Sequence, residues 1–112
     1  MHKLELSYLA SPYTHPDTAV REQRFRAVCK KAAELMARGS VVFSPIAHSH
    51  PIDVEFDKPE SGEFWKKQDA PYLEFCTELI VFMLDGWEQS KGLAHEIEVA
   101  QQRGIPVIYE RP

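Results

Sequence analysis

The segment DGWEQSKGLAHEIEVAQQRGIPVIY, residues 85–109, orders Ser90, Gly92 and Glu96 in a way that can do chemistry. Ser90 suits the N-cap of a helix, because a serine hydroxyl accepts from the free N–H groups of the first turn. Counted from that start, Gly92 and Glu96 are four residues apart and stack on one helix face. Leu93, Ile97 and Ala100 occupy the spaced apolar positions that pack on a sheet, so Glu96 borders the core face. A glycine one turn before a carboxylate clears the space above it, at a cost of about 1 kcal/mol relative to alanine. The free N–H groups of the helix start also suit a phosphate or another anion. The same residues admit a plainer reading, a solvated glutamate and a glycine that lets two elements pack closely. Glu98 falls near the outward face and reads as solvent-facing.

A second group lies in AHSHPID, which brings His48, His50 and Asp53 into one segment. On an extended segment both imidazoles share one face. They then suit a transition metal, a ligand phosphate or base, or only the loop's own structure. No third ligand is firmly placed beside them, so no metal and no cofactor is assigned. Tyr13, Trp65 and Trp87 could stack on a flat ring such as a nucleobase, although Trp65 reads first as core. Arg21 and Arg24, near the start of a helix, read as a solvated face or as partners for a phosphate. Asp69, two residues before Pro71, is either an acid at a site or the cap of the second half of a broken helix.

The intervening residues supply the frame. Leu4 to Leu9 (LELSYL) predicts a short strand running into the proline-punctuated loop ASPYTHP. Phe25, Val28, Cys29, Ala32, Leu35 and Met36 repeat at spacings of three and four, which predicts a helix from about Asp17 to Arg38, closed by Gly39. Val41 to Pro45 (VVFSP) predicts a strand buried on both faces. The segment IAHSHPIDVEFDKPESGE has no helical period and contains Pro51 and Pro59, so it reads as a long loop of the kind that forms lids. Gly62 to Cys76 predicts a helix that Pro71 kinks or divides. Glu78 to Leu84 (ELIVFML) is the strongest strand signal and the expected centre of the sheet. DGWEQ is a turn, Ser90 opens a helix to Arg103, Gly104 closes it, and IPVIY makes the last strand. Alternating strands and helices predict an α/β fold, a Rossmann-like or flavodoxin-like three-layer sandwich around a parallel sheet of four or five strands. Ligands of such sheets bind outside the carboxyl ends of the strands, where strand order reverses. The loops at those ends, ASPYTHP, SPIAHSHPI and DGWEQSKG, hold the densest polar chemistry of the chain.

A length of 112 residues suits one domain, residues 1–112, around one core. The hydrophobic share of 44% argues against disorder. A formal charge of −4, with no lysine or arginine block, disfavours duplex nucleic acid and anionic membranes as partners. A small anionic or neutral ligand stays open, because a local site can oppose the overall charge. Cys29 and Cys76 form no CxxC pair and fall in apolar helical patterns, so they read as buried reduced thiols. The opening MHKLELSYL has too short an apolar run for a signal peptide, and no run reaches membrane-spanning length, so cytoplasm is the expected location.

The pattern Ser90-x-Gly92-x-x-x-Glu96, followed by Ala100 and by Gly104-x-Pro106-Val107, resembles the signature of the nucleoside 2-deoxyribosyltransferase superfamily. SYLASPYT is similar to that family's first strand and glycosyl-binding loop, and QDAPYLEFCTELIVFML to its acid-bearing helix and third strand. The likeness runs in order through nearly the whole chain outside residues 46–62, and SPIAHSHPI and DGWEQSKG are most similar to a small bacterial and phage branch. The resemblance implies N-glycosidic bond chemistry on a nucleoside or nucleoside monophosphate. It implies Glu96 as the nucleophile on the anomeric carbon, Asp69 as the second acid near the leaving base, and Tyr8 as the hydroxyl that orients the nucleophile. Ser90 matches a phosphate-contacting serine. Ala10, Ser11, Pro12, Tyr13 and Thr14 would shape the sugar site, with Asp85, Trp87 and Gly92 beside it. The chain departs from the pattern in three places: ASPYT lacks a glycine that many members carry, Ile97-Glu98 follows Glu96, and Thr77-Glu78 replaces an Ala-Asp pair. Little sequence follows the last strand, so base exchange is less expected than ligand binding.

Three functions compete on these residues. The first is cleavage or transfer at an N-glycosidic bond, where a carboxylate stabilises the positive charge that develops on the sugar. The second is nucleotide binding without turnover. The third is a metal-dependent hydrolase centred on His48 and His50. The partner is a small nucleoside or nucleotide, not a nucleic-acid polymer or a membrane. The resemblance also implies a homodimer or larger homo-oligomer.

Overall fold

Four strands, β1 (Ser7–Ala10), β2 (Val42–Phe43), β3 (Glu78–Phe82) and β4 (Val107–Glu110), pair in parallel in the order β2-β1-β3-β4. Parallel neighbours cannot be joined by hairpins, so helices carry the chain between them. These are α1 (Thr18–Ala37), α2 (Pro45–Asp53), α3 (Gly62–Phe75) and α4 (Lys91–Arg103). The computed structural model describes residues 4–58 and 60–112; Pro59, and Met1 to Lys3 of the opening segment, lie outside the described residues. The predicted α/β sandwich is present, with four parallel strands in the flavodoxin-like order. No fifth strand forms among the described residues. Nor is any helix among them long and apolar enough to cross a membrane.

Strand alternation divides the core into two layers, since successive side chains leave opposite faces of the sheet. Tyr8 and Ala10 of β1, with Leu79 and Val81 of β3, pack against Leu73 of α3 and Leu93 and Ala100 of α4. On the other face Leu9, Ile80 and Phe82 meet Val28, Ala32 and Leu35 of α1 and Ile46 of α2. Each fully buried leucine or valine contributes roughly 2 kcal/mol through the apolar area it removes from water. Lys31 is also buried on α1, with its ammonium 5.3 Å from the Phe82 ring centre and 3.2 Å from the Glu34 carboxylate.

Helix starts follow the caps. Asp17 accepts from Ala19 N at 2.8 Å, Ser44 from Ala47 N at 3.1 Å, Ser61 from Phe64 N at 3.2 Å and Ser90 from Leu93 N at 3.2 Å. Ser44 overturns the expected loop. It ends β2 at Phe43, and Pro45 then occupies the first turn of α2, where a missing N–H costs nothing. The segment expected to be a lid therefore begins as a helix. Pro71 does not divide α3, which runs unbroken to Phe75. Pro71 and Lys67 are both exposed, so water can serve the carbonyl that the proline leaves unbonded.

Strand ends also shift. β1 starts at Ser7 and not at Leu4, which is 90% exposed, and it continues through Ala10. β3 stops at Phe82, short of Leu84, and β4 begins at Val107 because Ile105 N still bonds to Ala100 O behind α4. Two side chains of α1 lie outside their expected environment: Met36 is 52% exposed and Cys29 is only half-buried, whereas Cys76 is fully buried.

Candidate active site

Strand order reverses between β1 and β3, and a cavity of about 970 Å³ opens over their carboxyl ends. Three elements deliver acids and a phenol to it. β1 turns Tyr8 toward the α3 and α4 layer, α3 brings Asp69, and α4 brings Glu96. Glu96 sits on the helix face between buried Leu93 and Ala100, half-buried itself and open to the cavity. A Cβ added at Gly92 would meet nothing within 4 Å, so this glycine leaves open space at the cavity wall and does not serve close packing.

Three buried side-chain polar atoms lack a hydrogen-bond partner among the described residues: Tyr8 Oη, Ser11 Oγ and Asp69 Oδ1. All three residues line this one cavity. Buried polar groups are satisfied in the great majority of cases, so these three leave polar atoms that water or another molecule in the cavity would satisfy.

Burial governs the protonation of the site. It pushes the Glu96 carboxyl up to about 7; the nearby Tyr8 hydroxyl draws it down and the Asp69 charge raises it further. Burial likewise pushes Asp69 up to about 6. The Tyr8 phenol is held far above its ordinary range by burial, and then by the Glu96 and Asp69 charges, so it remains a donor at every working pH. Tyr8 Oη stands close enough to Glu96 to influence its ionisation without completing a well-formed hydrogen bond. Around neutrality the two carboxyls therefore ionise in turn, Asp69 before Glu96.

Asp69 lies in the middle of α3, well past the Ser61 cap, so it caps no second helix. Ser90 lines the cavity, with its hydroxyl engaged by Leu93 N. Ser11, Tyr13 and Thr14 also reach the wall, while Ala10 and Pro12 are fully buried behind it.

The two histidines part company. On α2, residues two apart point about 200° from each other, which removes the common face expected of an extended segment. His48 leaves the cavity and joins an aromatic group with Phe43 and Tyr72, which stack 4.0 Å apart. His50 alone lines the cavity, between Tyr13 and Glu22. The metal-dependent reading required both imidazoles at one point, and α2 separates them.

Asp85 and Trp87 are not at the cavity. The Asp85 carbonyl accepts from Arg24 Nη2 at 3.2 Å, and Trp87 packs against Tyr109 with ring centres 5.8 Å apart. Arg24 also donates to the Thr14 carbonyl at 3.0 Å and Arg21 to that of His15, so both arginines tie down the loop after β1. Trp65 lines the cavity rim and donates to Asp53 Oδ1 at 3.0 Å, which occupies Asp53 with a structural clasp. Glu22 is the residue at the site that the sequence did not mark. Its spacing to Arg26 reads as an ordinary exposed helical pair, which it also makes at 3.2 Å. Thr77 and Glu78, a departure from the superfamily pattern, join strands: Thr77 Oγ1 accepts from Leu6 N at 2.9 Å and Ser7 Oγ donates to Glu78 at 2.5 Å.

The family described as a domain of unknown function, DUF1937, matches residues 5–111, and the chain belongs to that family. No curated protein matches the chain.

Proposed function

We propose that this DUF1937 member cleaves the N-glycosidic bond of a nucleoside or nucleoside monophosphate, with Glu96 as nucleophile. The observation that carries this reading is the convergence of Tyr8, Ser11 and Asp69, each with an unpartnered buried polar atom, on the cavity that Glu96 lines. The resemblance of Ser90-x-Gly92-x-x-x-Glu96 to the deoxyribosyltransferase signature supports it independently.

Glycosidic cleavage needs Glu96 ionised and Asp69 protonated. With Asp69 raised to about 6 and Glu96 to about 7, the pair between those values holds its proton on Glu96, so the productive form is the minor one in which Asp69 carries it. An ionised Glu96 attacks the anomeric carbon while the bond to the base breaks. Asp69 passes its proton to the departing base nitrogen. Water then attacks the glycosyl ester from the opposite side, its proton goes to Asp69, and Glu96 leaves, so configuration is retained. Tyr8 keeps its proton throughout and stands beside Glu96, where a small adjustment on substrate binding would let it donate to the ionised carboxylate. A base in place of water would make the same sequence a transfer.

Incubation with a panel of deoxynucleosides and their monophosphates, with free base resolved chromatographically, tests the proposal. Base release that disappears in Glu96→Ala is the expected result. Release undiminished in that variant removes Glu96 from the nucleophile's role, and no release from any compound removes the activity.

A further inference from the structure

A hydrogen-bonded chain that the carboxylate chemistry does not use lies at another wall of the cavity. Tyr13 Oη is 2.5 Å from His50 Nδ1, and His50 Nε2 is 2.9 Å from Glu22 Oε2. Phe25 stacks on the imidazole with ring centres 4.2 Å apart and planes 22° from parallel, which holds the ring in place. The members come from three places: the loop after β1, α2 and α1. Tyr13 and His50 line the carboxylate-bearing cavity, and both also line a second cavity of about 660 Å³ that reaches Glu22.

The direction of these bonds follows from what each group can donate. An ionised carboxylate only accepts, and the Glu22 carboxyl is held below its ordinary range, first by its hydrogen bond to His50. Nε2 therefore carries a hydrogen. In the neutral ring Nδ1 is then an acceptor, and Tyr13 must donate its single hydrogen to it. Burial raises the Tyr13 phenol, so that hydrogen is not lost at neutral pH. Only lone pairs of the phenol remain for the cavity.

The geometry points to Tyr13 as a specificity-determining residue: Glu22 and His50 hold its hydroxyl as an acceptor, and it selects a ligand that presents a hydrogen-bond donor, a sugar hydroxyl, at that wall. This rests on the glycosidase reading for the identity of the ligand. A fluorine or phosphate oxygen in the same position would set lone pairs against lone pairs, beside Asp53 and Glu60, which line both cavities.

Calorimetric titration at pH 8.5 with the common deoxynucleosides identifies the tightest binder, which is then compared with its 3′-fluoro and 5′-fluoro analogues. The wild type should lose roughly tenfold in affinity at one of these positions. Tyr13→Phe should weaken the parent nucleoside by a similar factor and leave the fluoro analogue within about twofold. His50→Phe keeps an aromatic ring against Phe25 and frees the phenolic hydrogen, so it should narrow the discrimination while the parent still binds. If Tyr13→Phe does not fold, the His50→Phe comparison decides alone. Wild-type discrimination that persists in the variant, or a wild type that does not discriminate, overturns the proposal. Selective binding without base release sinks only the glycosidase reading, base release with a preference independent of Tyr13 sinks only this one, and absence of nucleoside binding sinks both.

Discussion

Arg24 reaches across from α1 to donate to the Asp85 carbonyl, and its guanidinium occupies the space a side chain on Gly86 would need: a Cβ there would come within 2.7 Å of Arg24 Nη2. Gly86 also holds φ at +91°, in the left-handed region that L side chains resist. The turn after β3 is thus locked to α1 through a position that tolerates glycine. Gly86→Ala should destabilise the fold by about 2 kcal/mol, read from urea denaturation midpoints. The double variant with Arg24→Ala should lose less than the sum of the two single changes, because the second change removes the clash. Strict additivity would mean that the contact is unimportant.

Arg103 performs a related task for α3. Its Nη1 donates to the carbonyls of Leu73 at 2.8 Å and Cys76 at 2.9 Å at the helix end; the Leu73 carbonyl also accepts from the Cys76 thiol at 3.1 Å. Arg103→Met should cost about 2 kcal/mol, chiefly by removing the donor to the Cys76 carbonyl. Arg38→Ala, which removes a surface contact to Glu110 at 3.2 Å from a side chain 58% exposed, should cost less than about 1 kcal/mol by the same measurement. Equal effects would contradict this assignment.

The raised Glu96 carboxyl makes stability depend on pH with a definite sign. The folded protein holds that proton up to about pH 7, while the ordinary value for glutamate is 4.5, so the folded state binds more protons in between. Stability therefore falls as pH rises across that window. Glu96→Gln removes the ionisation, and should raise stability by roughly 2 kcal/mol at pH 8 and by little at pH 4. Thermal melts of both proteins at the two pH values check it. A gain of the same size at each pH would assign the effect to packing.

If the pair acts as proposed, the rate of base release should follow a bell in pH. The acid limb needs one carboxyl ionised and the alkaline limb needs the other protonated, so the maximum lies between about 6 and about 7. Asp69→Asn should slow the reaction by about 100-fold or more, and should flatten the alkaline limb for substrates whose base needs a proton to leave. An unchanged limb in that variant would assign the proton to another group.

Much of the frame was readable because the local signals were strong and agreed. After Glu78, β3 is a run of apolar and β-branched residues with nowhere to go but the centre of a sheet, and Ser90 and Gly104 bracket α4 with chemistry that starts and stops a helix. The stretch after β2 was misread for an equally physical reason. Its Ser44-Pro45 start is a good helix opening, but Pro51 and the absence of an apolar stripe masked it, since the helix is short and meets the core through little more than Ile46. That error carried over to the site, because a helix sends His48 and His50 in different directions. Glu96, Asp69 and Tyr8 were nominated by pattern and lie on one cavity. Glu22 carried no signal, since its role depends on a ring brought from 28 residues away.

The two tryptophans occupy separate surroundings, Trp65 at the cavity rim with its indole nitrogen on Asp53, and Trp87 against Tyr109 away from it. The chain thereby contains its own optical pair. Trp87→Phe leaves one indole whose emission should shift when the void fills, and Trp65→Phe leaves one that stays silent, so occupancy can be followed by light without attaching a dye.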